Sequence, residues 1–378
     1  MAEGVGRSQV VAYVERLAAR GMEVILHSFE KQAPDEAVAR RLGAAGVRWR
    51  PHRFREGGSV AGLGRVVQGA LCLAGAELVH ARSDLAAASA LLGRCDTWIW
   101  DMRSFWREQR IALGLLSPTS PQARLLRDVE ARSARSSSGI VTLSQAAVDE
   151  LARRHGEELR PKTRVVTTCV DLDRFTTSDL PSSRGLRFLL AGTVNTLYDV
   201  PTMARLVDRV RARRPADLTV LTPGPTTWEP LFRSVGATLT SSVAEAMPDH
   251  VRQHHLGLSV LRPECGVSSR AATPTKIGEF LAGGRPVVVS GGLGDMDDLL
   301  ARHDCGVVVT DRSETGLEKA VDEIERLVDD DGTPARCRAL AEDHFDIDKG
   351  VAALLALYRD VLTSPGLDRP PRSSGRRW

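Results

Sequence analysis

The chain has 378 residues, of which 42% are hydrophobic and 4% aromatic, and its formal net charge at pH 7 is +3. This length exceeds one ordinary core and fits two domains of Rossmann size, and the small net charge gives no global argument for nucleic-acid binding. No apolar run approaches the roughly twenty residues that a membrane-spanning helix needs. Six scattered cysteines without a CxxC pair, and no signal peptide, predict free thiols in a reducing cytosol and hence a cytoplasmic protein.

Short apolar strands alternate with amphipathic helices along residues 1–176, the pattern of an α/β domain. The predicted strands and helices follow in chain order: helix 10–20, strand 23–29, helix 60–74, strand 77–81, helix 83–92, strand 97–101, helix 122–136, strand 139–143, helix 145–154 and strand 164–167. Ser144 is expected to cap the helix that follows it. These residues form the first predicted domain.

A Ser/Thr/Pro-rich linker at 176–185 marks the domain boundary, and a second α/β domain is predicted over 186–343. Its expected elements are strand 186–191, helix 200–213, strand 217–221, helix 228–235, strand 237–239, helix 245–254, strands 257–261, 287–289 and 306–310, and helix 315–328. The basic tail 364–378 is expected to be disordered, with weak peripheral membrane contact as its possible role.

Residues 272–298 are the most informative segment. A Pro-Thr-Lys turn ending at Lys276 opens a helix, and the unpaired amides of a helix N-terminus favour phosphate. Glu279 lies about one turn further, on the side where a ribose attached to that phosphate could lie. After a short apolar strand, Gly292 and Gly294 allow close backbone approach to a ligand. Turn, helix and glycine-rich loop together predict a nucleotide-sugar pocket.

The run PTKIGEFLAGGRPVV resembles the donor-binding motif PTK-x-x-E-[FY]-L-A-x-G-x-PVV of retaining GT-B glycosyltransferases of family 4. Four further segments agree with this family in order: GVGRSQ (4–9), DMRSFW (101–106), TCVDLDRF (168–175) and GTVNTLY (192–198). The resemblance implies two Rossmann-like domains facing across a cleft, with a C-terminal helix (344–363) that crosses back to the first domain. It also implies retaining transfer of a hexosyl or related sugar from a nucleotide-diphosphate-sugar donor to an acceptor hydroxyl. No metal or other cofactor is expected, and the unknown acceptor is a polysaccharide intermediate or a secondary metabolite.

The resemblance carries donor binding to residues in four segments. The predicted donor-binding residues are Gly6, Arg7, Gly192, Thr193, Asn195, Thr275, Lys276, Glu279, Gly292 and Gly294. The family usually places a basic residue in or after the loop that starts at Gly192, and none occurs here before Arg205. Lys276, or alternatively Arg270, is therefore expected to neutralise the diphosphate.

The predicted catalytic residues are His80, Asp101, Arg103 and Lys276. His80 and Asp101 lie at the ends of predicted strands, where ligands of open α/β sheets bind. Arg103 could hold a phosphate or carboxylate bidentately, and Asp101 could orient a hydroxyl. The alternatives are a structural Asp–Arg salt bridge and a histidine bonded to a backbone carbonyl.

Two departures from the family pattern leave alternatives open. The first glutamate of the usual pair falls at Ala271, so the sugar would be read by the backbone of Ala272 and Thr273, by Ser269, or by Glu264. Family members also open with a hydrophobic strand, so either the start lies upstream or the first sheet lacks its central strand. A GT-B epimerase or hydrolase and a non-catalytic partner protein are therefore the rival functions.

A separate histidine group is predicted to be structural. His250, His254 and His255 have metal-like spacing, but no carboxylate or cysteine pattern completes a site, so a helix surface is the expectation.

Overall fold

Parallel strands dominate the computed structural model, which describes residues 6–183 and 185–363. We call residues 6–183 the first half and residues 185–343 the second half. The strands of the first half are β1 (Ile25–Glu30), β2 (Arg48–Arg53), β3 (Val79–Arg82), β4 (Trp98–Asp101), β5 (Gly139–Thr142) and β6 (Thr163–Val165). Its helices are α1 (Ala12–Ala19), α2 (Glu36–Ala44), α3 (Gly58–Cys72), α4 (Asp84–Leu92), α5 (Trp106–Ala112), α6 (Pro121–Ser136) and α7 (Gln145–His155), with a π-helical turn at Arg7–Val11 and 3-10 turns at Glu157–Lys162 and Leu172–Arg174.

The strands of the first half form two sheets. β1 pairs with β2, and β3, β4, β5 and β6 pair in that order. Among the described residues no strand joins β1 to β3. Every residue of β4 and β5 is buried, because helices cover both faces of a parallel sheet.

The second half has one six-stranded parallel sheet in the order β12-β11-β10-β7-β8-β9. Its strands are β7 (Leu186–Ala191), β8 (Ala216–Leu221), β9 (Thr238–Thr240), β10 (Leu256–Ser259), β11 (Val287–Ser290) and β12 (Gly306–Val309). Its helices are α8 (Val200–Arg213), α9 (Glu229–Ser234), α10 (Met247–Gln253), α11 (Val267–Arg270), α12 (Thr275–Ala282), α13 (Met296–His303), α14 (Glu314–Val328) and α15 (Thr333–Leu340), with 3-10 turns at Ala244–Ala246 and Pro263–Cys265.

The last helix, α16 (Ile347–Thr363), returns to the first half after a π-helical turn at Ala341–Phe345. Its apolar face, including Val351 and Leu357, joins a buried cluster with Leu17 of α1, Ile99 of β4 and Val141 of β5. The predicted crossing back is therefore confirmed, and burial of this face explains why α16 docks away from the sheet that precedes it.

Several elements differ from the sequence-based prediction. The sequence patterns did not predict α2, β2, α5, α11, α13 or α15, and the C-terminal helix predicted from residue 344 begins three residues later, at Ile347. β2 is the sequence RWRPHR, an edge strand that exposes its arginines and contains Pro51, so it lacks the apolar alternation of a covered strand. None of the described helices is both long and apolar enough to cross a bilayer. The predicted tail at 364–378 lies outside the described residues.

Candidate active site

The Pro-Thr-Lys turn places a buried ammonium group at the start of α12. Thr275 is the first helical residue, and Lys276 is only 8% exposed. The Nζ of Lys276 lies 4.2 Å from the ring centroid of Tyr198 and has no hydrogen-bond partner among the described residues. A buried ammonium without an anion is costly, and a cation–π contact offsets only part of that cost. The geometry therefore suits an anion that arrives from outside the chain.

Glu279 follows Lys276 by one turn of α12 and is half-buried. Burial raises the pKa of its carboxyl group, and the positive charges of Arg174 and Lys276 oppose that rise. Within the described part of the chain its carboxylate makes no hydrogen bond or ion pair. α12 thus presents an ammonium group and a free carboxylate about one turn apart, which can bind a phosphate and a hydroxyl respectively.

The loop after β7 brings the second predicted donor segment to Lys276. Gly192 has φ +99° with open space beside its Cα, and this left-handed conformation favours glycine. Thr193 is exposed, whereas the side chain of Asn195 accepts a hydrogen bond from the Leu197 amide at 2.9 Å and so shapes the turn. Tyr198 ends this loop, and its ring carries the contact to Lys276.

Gly292 and Gly294 are already engaged within the protein. The Gly292 amide donates to the carboxylate of Asp297 at 3.0 Å, and the Gly294 amide donates to the Ser269 carbonyl at 2.9 Å. Gly294 has φ +54°, and a Cβ there would lie 2.9 Å from the Ala272 carbonyl oxygen, so close packing requires glycine. Both amides therefore already donate within the protein, and Gly294 packs against the turn that precedes α12.

A cavity of about 790 Å³ lies beside this glycine-rich loop. Its lining includes five aspartates: Asp149, Asp295, Asp297, Asp298 and Asp343. So many carboxylates disfavour a diphosphate through like-charge repulsion. We place the candidate donor site at Lys276 rather than in this cavity.

Ala271, the position of the missing first glutamate, is fully buried in the hydrophobic cluster of the first half. A glutamate could not replace it without burying a charge in that cluster. Ser269 donates to the carbonyls of Gly266 and Gly292 at 2.7 and 2.8 Å, and the Thr273 carbonyl accepts from Thr168 at 2.6 Å. Two of the expected substitutes for sugar contact thus already have partners.

Two other residues expected at the site lie on the surface: Glu264, expected to contact the sugar, and Arg270, expected as an alternative cation for the diphosphate. Glu264 is exposed. Arg270 lies 3.3 Å from the carboxylate of the buried Glu150 in the first half, which removes it as a free cation. Hydrogen bonds from Arg153 and Arg154 outweigh burial and lower the pKa of Glu150 to about 2. The arginine is thus part of a structural ion network, and Lys276 remains the cation of the candidate site.

His80, Asp101 and Arg103 form one cluster. Asp101 is 2% exposed, and its carboxylate lies 3.1 Å from His80 Nε2 and 3.0 Å from both Arg82 and Arg103 guanidinium nitrogens. Burial alone would raise the pKa of Asp101, but the charges of Arg103 and Arg82 hold it far below its usual range. The hydroxyl of Tyr358 lies 2.7 Å from His80 Nδ1 and connects α16 to the cluster. Asp101 therefore positions the surrounding cations.

The first helix approaches the second half through Arg7. Gly6 and Arg7 lie at the start of the N-terminal helical turn, and Arg7 forms an ion pair with Glu245 of the second half. The side chain of Arg7 is 37% exposed. The structure places both residues beside the second half but records no contact to α12.

The three histidines His250, His254 and His255 make separate structural hydrogen bonds and do not point at one shared metal position. His254 Nδ1 donates to the His250 carbonyl at 2.6 Å, while His255 accepts from the Arg187 amide at 3.0 Å. Among the described residues, one group has ligand atoms spaced for a metal: His27, His52 and Cys72. It lies on β1, β2 and α3, and a 3.0 Å contact between the two imidazole rings accounts for its closeness.

Residues 4–174 match the family described as Glycosyltransferase Family 4. Sucrose-phosphate synthase from Thermosynechococcus elongatus is similar in structure, with a TM-score of 0.70 at 16% identity over 93% of this chain and 92% of that one. The Anabaena protein HepE in complex with UDP and glucose has a TM-score of 0.67 at 13% identity, covering 95% of this chain and 96% of its own. WaaG, a glycosyltransferase involved in lipopolysaccharide biosynthesis, has a TM-score of 0.65 at 15% identity, covering 96% and 97%. No curated protein sequence matches the chain.

The chain has the GT-B fold of family-4-like glycosyltransferases. The family match and the fold together support sugar transfer as its activity.

The two halves of this GT-B fold contact each other next to α12. The carboxylate of Asp295 accepts hydrogen bonds from the amides of Gln145 at 2.6 Å and Ala146 at 2.9 Å, and so caps α7 from the second half. Ser144 donates to the Arg270 carbonyl, and Thr168 to the Thr273 carbonyl. These contacts fix the turn before α12 against the first half, and hence the position of Lys276.

Two residues near the site had no predicted role. Tyr198 contacts Lys276, and Arg174 lies close enough to Glu279 to oppose the rise in its pKa. Both belong to motifs that the resemblance had marked, TCVDLDRF and GTVNTLY. Their positions in those motifs were the available signal, but spacing along the chain does not show which side chains meet.

Proposed function

We propose that this protein transfers a hexose or related sugar from a nucleotide-diphosphate-sugar donor to an acceptor hydroxyl with retention of configuration. The observation that carries the proposal is the buried Nζ of Lys276, which has no hydrogen-bond partner in the described part of the chain and lies one turn before the carboxylate of Glu279. A diphosphate supplies the missing anion, and ribose hydroxyls supply donors for the carboxylate.

Charge develops on the leaving diphosphate as the bond between sugar and phosphate oxygen breaks. Lys276 and the N-terminal amides of α12 would stabilise that charge, because preorganised donors act most strongly where water is excluded. The same side chains would bind the nucleotide before the reaction. Because the protein supplies this positive charge, we propose that transfer needs no metal ion.

The first half is the proposed acceptor side. Arg103 is held by Asp101 and stays 16% exposed, so it can still offer donors to an acceptor or phosphate. Arg7 would first have to exchange its partner Glu245 for a ligand. Closure of the two halves would exclude water, which otherwise competes as an acceptor.

UDP is the first nucleotide to test, since HepE is described with UDP and with UDP-glucose. We place the reaction in the cytoplasm, which the six free cysteines support because reducing compartments keep thiols unpaired. The acceptor would be a polysaccharide intermediate or a secondary metabolite.

A thermal-shift screen with UDP, GDP, ADP, TDP and their sugars tests the proposal. We expect one nucleotide to raise the melting temperature, since ligand that binds only the folded state stabilises it. If the protein instead cleaves the nucleotide-sugar and releases free nucleotide when no acceptor is present, it is a hydrolase. A lack of shift with every nucleotide would refute the donor site and favour a non-catalytic role.

A further inference from the structure

Helix α3 exposes an apolar stripe to solvent. Val60, Leu63, Val67 and Leu71 are 83%, 63%, 43% and 77% exposed. Their spacing of three, four and four residues puts them on one face of the helix. None of the fifteen residues of α3 is buried. We call these four residues the α3 stripe.

The other faces of α3 hold it against the protein, so the stripe is its outward face. A Cβ on Gly69 would lie 2.5 Å from the hydroxyl oxygen of Ser89, which shows how closely α3 approaches α4. On another face, Gln68 and Cys72 lie 3.2 and 3.6 Å from the imidazole of His52 on β2. α3 therefore packs against the protein on these faces and leaves the stripe uncovered.

Positive charge surrounds the stripe but does not interrupt it. Residues 48–75 contain five arginines and one glutamate, although the whole chain carries only +3. Arg50, Arg53 and Arg55 are exposed, and we call them the arginine rim. The single arginine of α3, Arg65, lies over the ring of Phe54 at 4.2 Å, away from the stripe.

We propose that α3 lies in the surface of an anionic lipid bilayer, with the stripe among the upper acyl chains and the arginine rim at the lipid phosphates. An apolar helix face bordered by cations is the pattern of helices that lie in a membrane interface. With fifteen residues, α3 is about 22 Å long, too short to span a core of about 30 Å.

A second copy of the chain is the less favoured partner for the stripe. A twofold dimer places identical patches against each other, so two arginine rims would approach and repel. An anionic bilayer pairs the rim with opposite charge. This membrane contact does not depend on the proposed sugar transfer.

Vesicle flotation tests the proposal with the full chain. Vesicles of phosphatidylcholine alone are compared with vesicles of equal parts phosphatidylcholine and phosphatidylglycerol, without nucleotide. We expect the protein to float mainly with the anionic vesicles. Val60→Asp should lower the partition constant about tenfold or more, since it places a carboxylate in the interface. Val243→Asp is the matched control, because Val243 is 67% exposed in the second half and the charge change is the same.

Charge is tested separately. The double variant Arg53→Ser/Arg55→Ser should weaken binding to anionic vesicles about 25-fold, at about fivefold per arginine. The control is Arg233→Ser/Arg252→Ser, whose side chains are 72% and 57% exposed in the second half. Equal binding of the wild-type protein to both vesicle types would overturn the proposal, as would a lack of binding or equal effects of test and control variants. Light scattering that shows a dimer broken by Val60→Asp would assign the stripe to self-association instead.

Discussion

Replacing Lys276 by methionine separates binding from stability. Methionine keeps much of the length and apolar volume of the side chain and removes only the ammonium group. In the ligand-free protein that group is buried, 8% exposed, and has no hydrogen-bond partner in the described chain. The substitution should therefore remove an unfavourable charge from the folded state while it removes the main phosphate contact.

The substitution should therefore stabilise the ligand-free protein but weaken its binding of UDP. Burying an unpaired ion costs several kcal/mol, and the contact with Tyr198, at 4.2 Å, returns about 1–2 kcal/mol. Lys276→Met should thus raise the free energy of unfolding by about 1–3 kcal/mol without ligand. Loss of a charge-assisted hydrogen bond to phosphate should weaken UDP binding by about 10- to 100-fold.

Urea denaturation measures the first quantity, and isothermal titration calorimetry with UDP measures the second. Lys319→Met is the matched control, since Lys319 is exposed on α14 and should change neither quantity appreciably. Lys276→Arg should retain part of the affinity because it keeps the charge. The reasoning is refuted if Lys276→Met destabilises the protein by more than about 1 kcal/mol while UDP affinity stays unchanged.

Three further predictions concern named side chains. Asp101→Asn should lower the free energy of unfolding by about 3–5 kcal/mol in urea, because it removes the buried carboxylate that two partly buried arginines share; a loss below about 1 kcal/mol would contradict this. Glu279→Ala should weaken UDP binding about tenfold in calorimetry but leave pyrophosphate binding unchanged, whereas the exposed Glu264→Ala should alter neither. Equal effects of both variants would contradict a ribose contact. Burial lowers the pKa of His255 from 6.5 to about 4, so stability should be complete above pH 6.5 and fall by about 2–3 kcal/mol as pH drops towards 4. His255→Gln should reduce that slope in urea titrations at several pH values; an unchanged slope would exclude this histidine as its source.

The strands that sequence patterns predicted well are those covered on both faces. WIWD of β4 and VVVS of β11 are uninterrupted, fully buried runs, because a parallel sheet between helices excludes water from both sides. β2 was missed because an edge strand with exposed arginines leaves no such run. Burial on both faces, rather than strand propensity, made these strands predictable from the sequence.

The candidate site was only partly predictable for the same kind of reason. Lys276 and Glu279 are three residues apart, so helical spacing alone puts them about one turn apart near the start of α12. The contact between Lys276 and Tyr198 joins segments 78 positions apart, which no local pattern reports. Gly292 and Gly294 were expected to offer amides, but Asp297 and Ser269 already accept from them.

The sequence by itself determined the alternating α/β elements and the spacing that puts a lysine and a glutamate one turn apart on one helix. These features follow from local periodicity and from the chemistry of neighbouring residues. Only the tertiary structure decided that Asp101 binds the cations around it, that Ala271 packs into the core of the other half, and that Lys276 has no hydrogen-bond partner among the residues described. Each of these outcomes depends on which distant groups share a buried volume, because the cost of a buried charge is set by its partners in space rather than in sequence.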